Sequence, residues 1–232
     1  MKRFTTPAAR LPAQRSATPA RFASKLVCLL ILVGCHAHQA GNIEEYIQSL
    51  ERPSRDTYQQ PDRVLQALNL QPGMAIADLG AGSGYFTRRF AHALDPAGLV
   101  IAVDVDPRML EYNQAHLANS NASAPVKFIL ALPDDPSLPA QSVDLIFLCN
   151  VYHHLTNHAA YMAKAKAALK PNGRVAIIDF YHDARSGVLG FPKHHLVPRE
   201  RVIHDMEQAG FQLLKEHTFL PRQYFLEFAP QS

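Results

Sequence analysis

The stretch Ala75 to Thr87, AIADLGAGSGYFT, limits what this chain can become more than any other segment. It reads as a short apolar strand, a glycine-rich turn, and a helix with Phe86, Phe90 and Leu94 on one face. Gly80, Gly82 and Gly84 stand at alternate positions, where the backbone can approach a ligand that any Cβ would repel. The helix that follows directs its unpaired N–H groups and the positive end of its dipole at that turn. Such a turn accepts a carboxylate or a phosphate. A second apolar strand, Leu99 to Val103, ends on Asp104, twenty residues beyond Gly84. An acidic residue in that place accepts hydrogen bonds from ribose hydroxyls. The dinucleotide fingerprint G-x-G-x-x-G requires glycine at 85, where this chain has Tyr85. The run is instead D-x-G-x-G-x-G, led by Asp78, and it disfavours a nicotinamide dinucleotide.

At this point the chain resembles the class I S-adenosylmethionine (SAM) dependent methyltransferases, across residues 44 to 228. The resemblance rests on five motifs in order: Asp78 to Gly84; Val103-Asp104-Val105-Asp106-Pro107; Leu138-Pro139 with Ser142 to Phe147; Asn150 to Leu155; and Leu169 to Arg174. It implies an α/β fold, Rossmann-like and doubly wound, with a mostly parallel sheet and an antiparallel C-terminal hairpin. It implies SAM as cofactor, held by Asp78, Gly80, Ala81, Gly82, Gly84, Asp104, Val105, Asp134 and Asn150. Within that set Asp78 contributes to the pocket for the methionine amino group. Asp134 meets the adenine amino group, although Pro133 replaces the family's usual glycine before it. Asp134 and Asp135 read equally well as turn-forming surface residues. The function implied is methyl transfer to a small-molecule acceptor that the sequence does not identify.

The alternation of strands and helices carries the same class. Asn42 to Leu50 is expected as a short helix, Glu51 to Pro61 as a surface linker or a lid over the cofactor, with Tyr58 and Gln59 its candidate contacts. Pro61 starts a helix burying Val64, Leu65 and Leu68. Asp106-Pro107 starts another that runs to about Asn119, and Val126 to Leu130 is a strand. Val143 to Leu148 is the fourth strand. Thr156 is expected to cap a helix that Pro171-Asn172-Gly173 ends, with Met162, Ala165 and Leu169 facing the sheet. Val175 to Phe180, a helix from Pro198 to Gly210, and two closing strands, Phe211 to Phe219 and Gln223 to Phe228, complete the order.

The N-terminus has a different composition. Lys2, Arg3, Arg10, Arg15, Arg21 and Lys25 precede an apolar core, Leu26 to Val33, that is too short to span a bilayer. It ends in Leu32-Val33-Gly34-Cys35, which resembles the bacterial lipoprotein signal, with Cys35 as the acylated residue. The division expected is a signal at 1–35, a tether and lid at 36–60, and the methyltransferase domain at 61–232. The location that follows is the periplasm-facing membrane surface; a chance apolar run would leave the protein in the cytoplasm. The precursor's +3 charge is 23 basic against 20 acidic residues; without the six basic residues above it becomes 17 against 20, a formal −3. No basic face then points to nucleic acid. The three cysteines support neither a disulfide framework nor zinc spacing, and Cys149 reads as a packing residue.

Twelve histidines raise a metal site, but His153-His154, His182 and His194-His195, near strand ends, show neither helical i, i+4 pairing nor cysteine partners, so no metal is expected. Asn150, Tyr152 and His153 follow the fourth strand, where the resemblance places the transferable methyl group. His153, then Tyr152, are the candidates for a catalytic base. The rival reading is an exported binding module without turnover, because SAM is made in the cytoplasm.

Overall fold

Ala75–Leu79 forms β1, and all five residues are buried. A strand buried on both faces needs parallel neighbours covered by helices. β2 (Leu99–Asp104) lies parallel on one side of it and β4 (Val143–Cys149) parallel on the other. Among the described residues the sheet has seven strands in the order β3-β2-β1-β4-β5-β7-β6, where β3 is Val126–Leu130 and β5 Leu169–Phe180. β6 (Phe211–His217) and β7 (Gln223–Pro230) run antiparallel, so the α/β doubly wound sheet with a closing hairpin is as expected. The chain moves outward from β1 to β3 and then returns to β4 on the other side. That reversal opens a crevice at the carboxyl ends of β1 and β4. These statements come from a computed structural model describing Met1, residues 42–189 and residues 192–231. The signal and Cys35 motif at 1–35, and the tether as far as Gly41, lie outside the described residues.

Among the described residues seven α-helices accompany the sheet: α1 (Ile43–Leu50), α2 (Ser54–Gln59), α3 (Pro61–Leu68), α4 (Tyr85–Ala93), α5 (Pro107–Ala118), α6 (His158–Lys166) and α7 (Arg199–Gln208). Val64 and Leu68 of α3 and Phe86 and Phe90 of α4 share one core with Phe147. Phe86 and Phe90 meet Phe147 edge-on at 4.7 and 5.0 Å between centroids, the arrangement the ring quadrupoles favour. On the other face, Met162, Ala165, Val202, Met206 and Phe211 form a second core with Val175 and Ile177. Among the described residues no helix is long and apolar enough to cross a membrane.

Three local expectations change. Asn157, not Thr156, caps α6, accepting from the Ala160 amide at 3.3 Å. That helix stops at Lys166, so Leu169 belongs to β5, and Pro171-Asn172-Gly173 bends the strand instead of ending a helix. The pairing steps from Val143–Leu169 to Leu145–Arg174, which leaves Pro171, without an N–H to donate, out of the ladder. The segment 51–61 is no plain linker: α2 forms within it and buries Arg55 and Gln59. Near the outer edge, the β6–β7 register shifts between Leu213 and Lys215, and Leu214 is exposed.

Candidate functional site

The glycine turn is pinned to the end of β2. The amides of Gly80 and Ala81 both donate to the Val103 carbonyl, at 2.8 and 2.9 Å. Gly82 N–H donates to Asp104 Oδ2 at 2.7 Å, and Asp106 N–H to Oδ1 at 3.0 Å. The Asp104 carboxylate is therefore braced from two sides, with acceptor capacity left for a ligand hydroxyl. Burial raises its pKa, against the lowering effect of those amides.

The three glycines serve different ends. A Cβ on Gly80 (φ +75°) would lie 2.3 Å from Val151 Cγ2, and one on Gly84 (φ +87°) 2.1 Å from Asn113 Oδ1. Both are excluded by the protein's own packing as well as by backbone strain. A Cβ on Gly82 would meet nothing closer than Leu50 Cδ1 at 3.5 Å. Gly82 is thus the position with room beside it.

Asp78 is buried at the end of β1, and its Oδ2 accepts from the Thr87 hydroxyl at 2.6 Å. Asn113 Nδ2 donates to the same Thr87 oxygen at 3.1 Å. Burial pushes the Asp78 carboxyl up to about 6, with Thr87 and then the Arg55 cation opposing the shift. A carboxylate so poised can be drawn into its ionised form by an arriving ammonium group.

The N-terminal helices lie against this turn. Glu51 pairs with Arg88 at 2.7 Å, and Asp56 pairs with Arg89 at 3.3 Å and accepts from the Tyr85 hydroxyl. These contacts join α1 and α2 to α4, the helix that starts at the turn. Arg55, only 8% exposed, donates to the Leu50 carbonyl at 3.0 Å and lies 3.8 Å over the Tyr85 ring. Gln59, fully buried one helical turn later, accepts from Asn150 Nδ2 at 3.4 Å and Gln223 Nε2 at 3.5 Å. Gln223 also donates to Asn150 Oδ1, at 2.5 Å. Tyr58, the other lid candidate, lies 5.7 Å from Phe180, with Arg222 4.9 Å over its ring.

Beyond Asn150 (φ +59°) the candidate bases separate. His153 places Nδ1 2.8 Å from Asp179 Oδ1, with a side chain 3% exposed, and its amide donates to Oδ2 at 3.1 Å. Tyr152 is different. Its ring stacks on His158 in the core, its hydroxyl is buried without a hydrogen-bond partner, and burial with nearby Asp205 raises its pKa. Those surroundings oppose ionisation, so Tyr152 packs and does not serve as a base. Cys149 is buried and its thiol is pushed up to about 12, chiefly by burial, as a packing residue's would be.

Asp134 is not gathered into the cluster. Its side chain is 78% exposed and lies 3.5 Å from Lys164. The side chains exposed at the carboxyl ends of β2 and β3 are instead apolar, Val105 and Leu132. Since Asp104 is paired with Leu130, these two residues stand just past the ends of neighbouring strands, suited to the faces of a flat ring. Among the described residues no group of three His, Cys, Asp or Glu side chains could hold a metal ion. A cavity of about 560 Å³ opens near Lys166, Lys170 and Arg174, away from the turn. Lys170 and Arg174 there are paired with Asp144 and Glu227, and Lys166 donates to the Gly210 carbonyl.

Arg55, Thr87, Asn113, Asp179 and Gln223 escape a motif-based reading. One signal was available: Pro53 and Pro61 bracket a short helix in which Arg55 and Gln59, four apart, share a face.

The open turn at Gly82, the braced Asp104 and the poised Asp78 fit the ribose and the charged amino-acid end of SAM. Residues 76–173 match the family model described as a methyltransferase domain. Over 156 residues the chain is 23% identical to a ubiquinone/menaquinone biosynthesis C-methyltransferase of Shewanella piezotolerans, covering 66% of this chain and 62% of that protein. The counterpart from Shewanella frigidimarina is 26% identical over 143 residues, 62% of this chain and 52% of its own length. The chain thus spans 52–62% of the length of these curated relatives. A SAM-dependent methyltransferase from Aquifex aeolicus superposes with a TM-score of 0.74 at 24% identity, covering 81% of this chain and 98% of that one. By its sheet order and this superposition the chain has the class I, SAM-dependent methyltransferase fold, and its residues 76–173 are similar to a methyltransferase domain.

Proposed function

We propose that this protein is a SAM-dependent methyltransferase acting on a small-molecule acceptor. The observation that carries the reading is Asp104, held by the Gly82 amide at the mouth of the β1–β4 crevice, beside the one motif glycine whose Cβ would clash with nothing. The bound cofactor supplies an electrophilic methyl group. The protein's task is alignment, and holding acceptor and methyl in line is worth on the order of 7 kcal/mol or more in favourable cases. Asp104 takes the ribose, Val105 and Leu132 face the adenine, and Asp78 receives the ammonium group. His153 serves as base where the acceptor must lose a proton. Asp179, 2.8 Å from Nδ1, orients the ring. The helices α1 and α2 form the lid.

The relatives' names place carbon acceptors of the quinone type first in a substrate screen. Calorimetry of the full chain with SAM, its demethylated product and NAD tests the cofactor: the first two bind and NAD does not. Tight NAD binding without SAM binding would overturn the reading. Once an acceptor is found, His153→Ala should slow turnover roughly 100-fold while leaving SAM affinity nearly intact; undiminished turnover removes His153 from the chemistry.

The reading extends to location. Leu32-Val33-Gly34-Cys35 and the basic segment before it support a lipid anchor at Cys35 and a periplasm-facing domain. Cys35→Ser should abolish lipid labelling and leave the precursor unprocessed. An intact, unacylated wild-type N-terminus would return the protein to the cytoplasm, where SAM is at hand. An anchored protein that binds SAM without turnover would be the exported binding module.

A further inference from the structure

Arg55 is a buried cation with no carboxylate in ion-pair contact, although the Asp78 carboxyl feels its charge. Among the described residues no carboxylate lies within ion-pair distance of it, and its Nε is buried with no hydrogen-bond partner. Burying an unpaired charge is costly, and a fold retains one where something else completes it. The guanidinium is nonetheless held in place, by the Leu50 carbonyl at Nη1 and by the Tyr85 ring beneath it. Its Nη2 lies 4.0 Å from the sulfur of Cys149, the last residue of β4. Tyr85 is the first residue of α4, directly after the glycine turn. Arg55 therefore stands over the β1–β4 crevice, beside the positive end of a nine-residue helix. In the same turn the Ser83 hydroxyl is also buried without a partner. A planar fork of donors over a helix N-terminus matches a carboxylate.

We propose that Arg55 receives the α-carboxylate of the cofactor's amino-acid end, so that the N-terminal segment selects ligands that keep this group. The inference rests on the SAM reading above and deepens it. Asp78 and Arg55 then divide the zwitterion between them, ammonium to the carboxylate and carboxylate to the guanidinium. A ligand lacking the carboxylate leaves Arg55 as uncompensated as before binding. Binding energy at this end is thereby tied to α2, which carries both Arg55 and the Gln59 amide that meets Asn150.

The test compares ligands on the full chain by calorimetry: SAM, decarboxylated SAM, and 5′-methylthioadenosine, which lacks the amino-acid end altogether. Wild type should bind SAM at least tenfold more tightly than its decarboxylated form. Arg55→Gln should weaken SAM by roughly 10- to 100-fold, the range for a charge-assisted hydrogen bond, and leave the other two within about twofold. Arg55→Lys, which keeps the charge but not the fork, should fall between, and thermal melts of both variants monitor folding. Equal losses for all three ligands, or no loss for SAM, would overturn the proposal while leaving the nucleoside site intact. A wild type that binds none of the three would overturn the SAM reading and this inference together.

Discussion

The two ends of the crevice are built in different ways. On the β1–β2 side the decisive contacts join residues close in sequence: Gly82 to Asp104 is 22 positions, Asp78 to Thr87 is 9. On the β4–β5–β7 side, Asn150 meets Gln59 across 91 positions, and Gln59 meets Gln223 across 164. The first side is one strand–turn–helix unit and the strand next to it. The second gathers side chains from the N-terminal helices, the sheet centre and the last hairpin. A short-range unit presents a fixed backbone shape, suited to a constant ligand. A long-range assembly can change one contributor at a time without altering that shape.

The largest effect that would test this contrast is expected at Gly80. Gly80→Ala places a methyl 2.3 Å from Val151 at a positive φ, and should cost about 3 kcal/mol. Adding Val151→Ala should recover part of that loss in a chemical melt. A neutral Gly80→Ala would mean the turn is not held by its own packing. Asp78→Asn comes next and has the opposite sign. Burial raises the Asp78 pKa from 3.8 to about 6, so the native state keeps a proton that the unfolded chain releases between those values. Wild-type stability therefore falls as pH rises through that window and levels off above it. Asp78→Asn should remove that slope and gain about 3 kcal/mol at pH 8, while weakening SAM binding. Identical pH–stability curves for the two proteins would refute the assignment.

Asp104→Ala should lower SAM affinity by about 1.5–3 kcal/mol, read by calorimetry; undiminished affinity would sink the ribose assignment. The smallest effect is expected on the other side. Arg222 donates to the carbonyls of Ser186 and Val188, at 2.6 and 2.8 Å. Arg222→Gln should cost about 1 kcal/mol and speed proteolysis near these residues, with cofactor affinity unchanged. If it weakened SAM binding as much as Asp104→Ala, the two sides would not be separable and the comparison would fail.

The same contrast explains what could be read beforehand. Strands, helices and the glycine turn follow from apolar periodicity and from Gly80, Gly82, Gly84 and Asp104, all of which act locally. The α6 cap was misplaced by one residue because Thr156 and Asn157 are both good caps, and backbone geometry chose Asn157. Pro171-Asn172-Gly173 has the composition of a helix stop, but pairing with β4 makes it a strand bend. Arg55 looks like a solvated surface residue, and Gln59 like either that or a lid contact, until α4 and β7 close over them. His153 was legible as a group at a strand end, whereas its partner Asp179 comes from the next strand. Tyr152 carried no sign in the sequence that its hydroxyl would be buried in the core.

The register shift in β6 bears on how the protein behaves at high concentration. β6 is an outer strand, and its unpaired backbone groups offer a template on which another chain could add a strand. Leu213 and Leu214 would make that docking favourable, since both are exposed. The irregularity falls between Leu213 and Lys215, interrupting the edge beside its most apolar residues, and Lys215 and Glu216 follow with charge. A flat continuation of the sheet into a neighbour is blocked where it would be most adhesive. Solubility at this margin thus depends on one irregular residue pair, independently of anything that happens in the crevice.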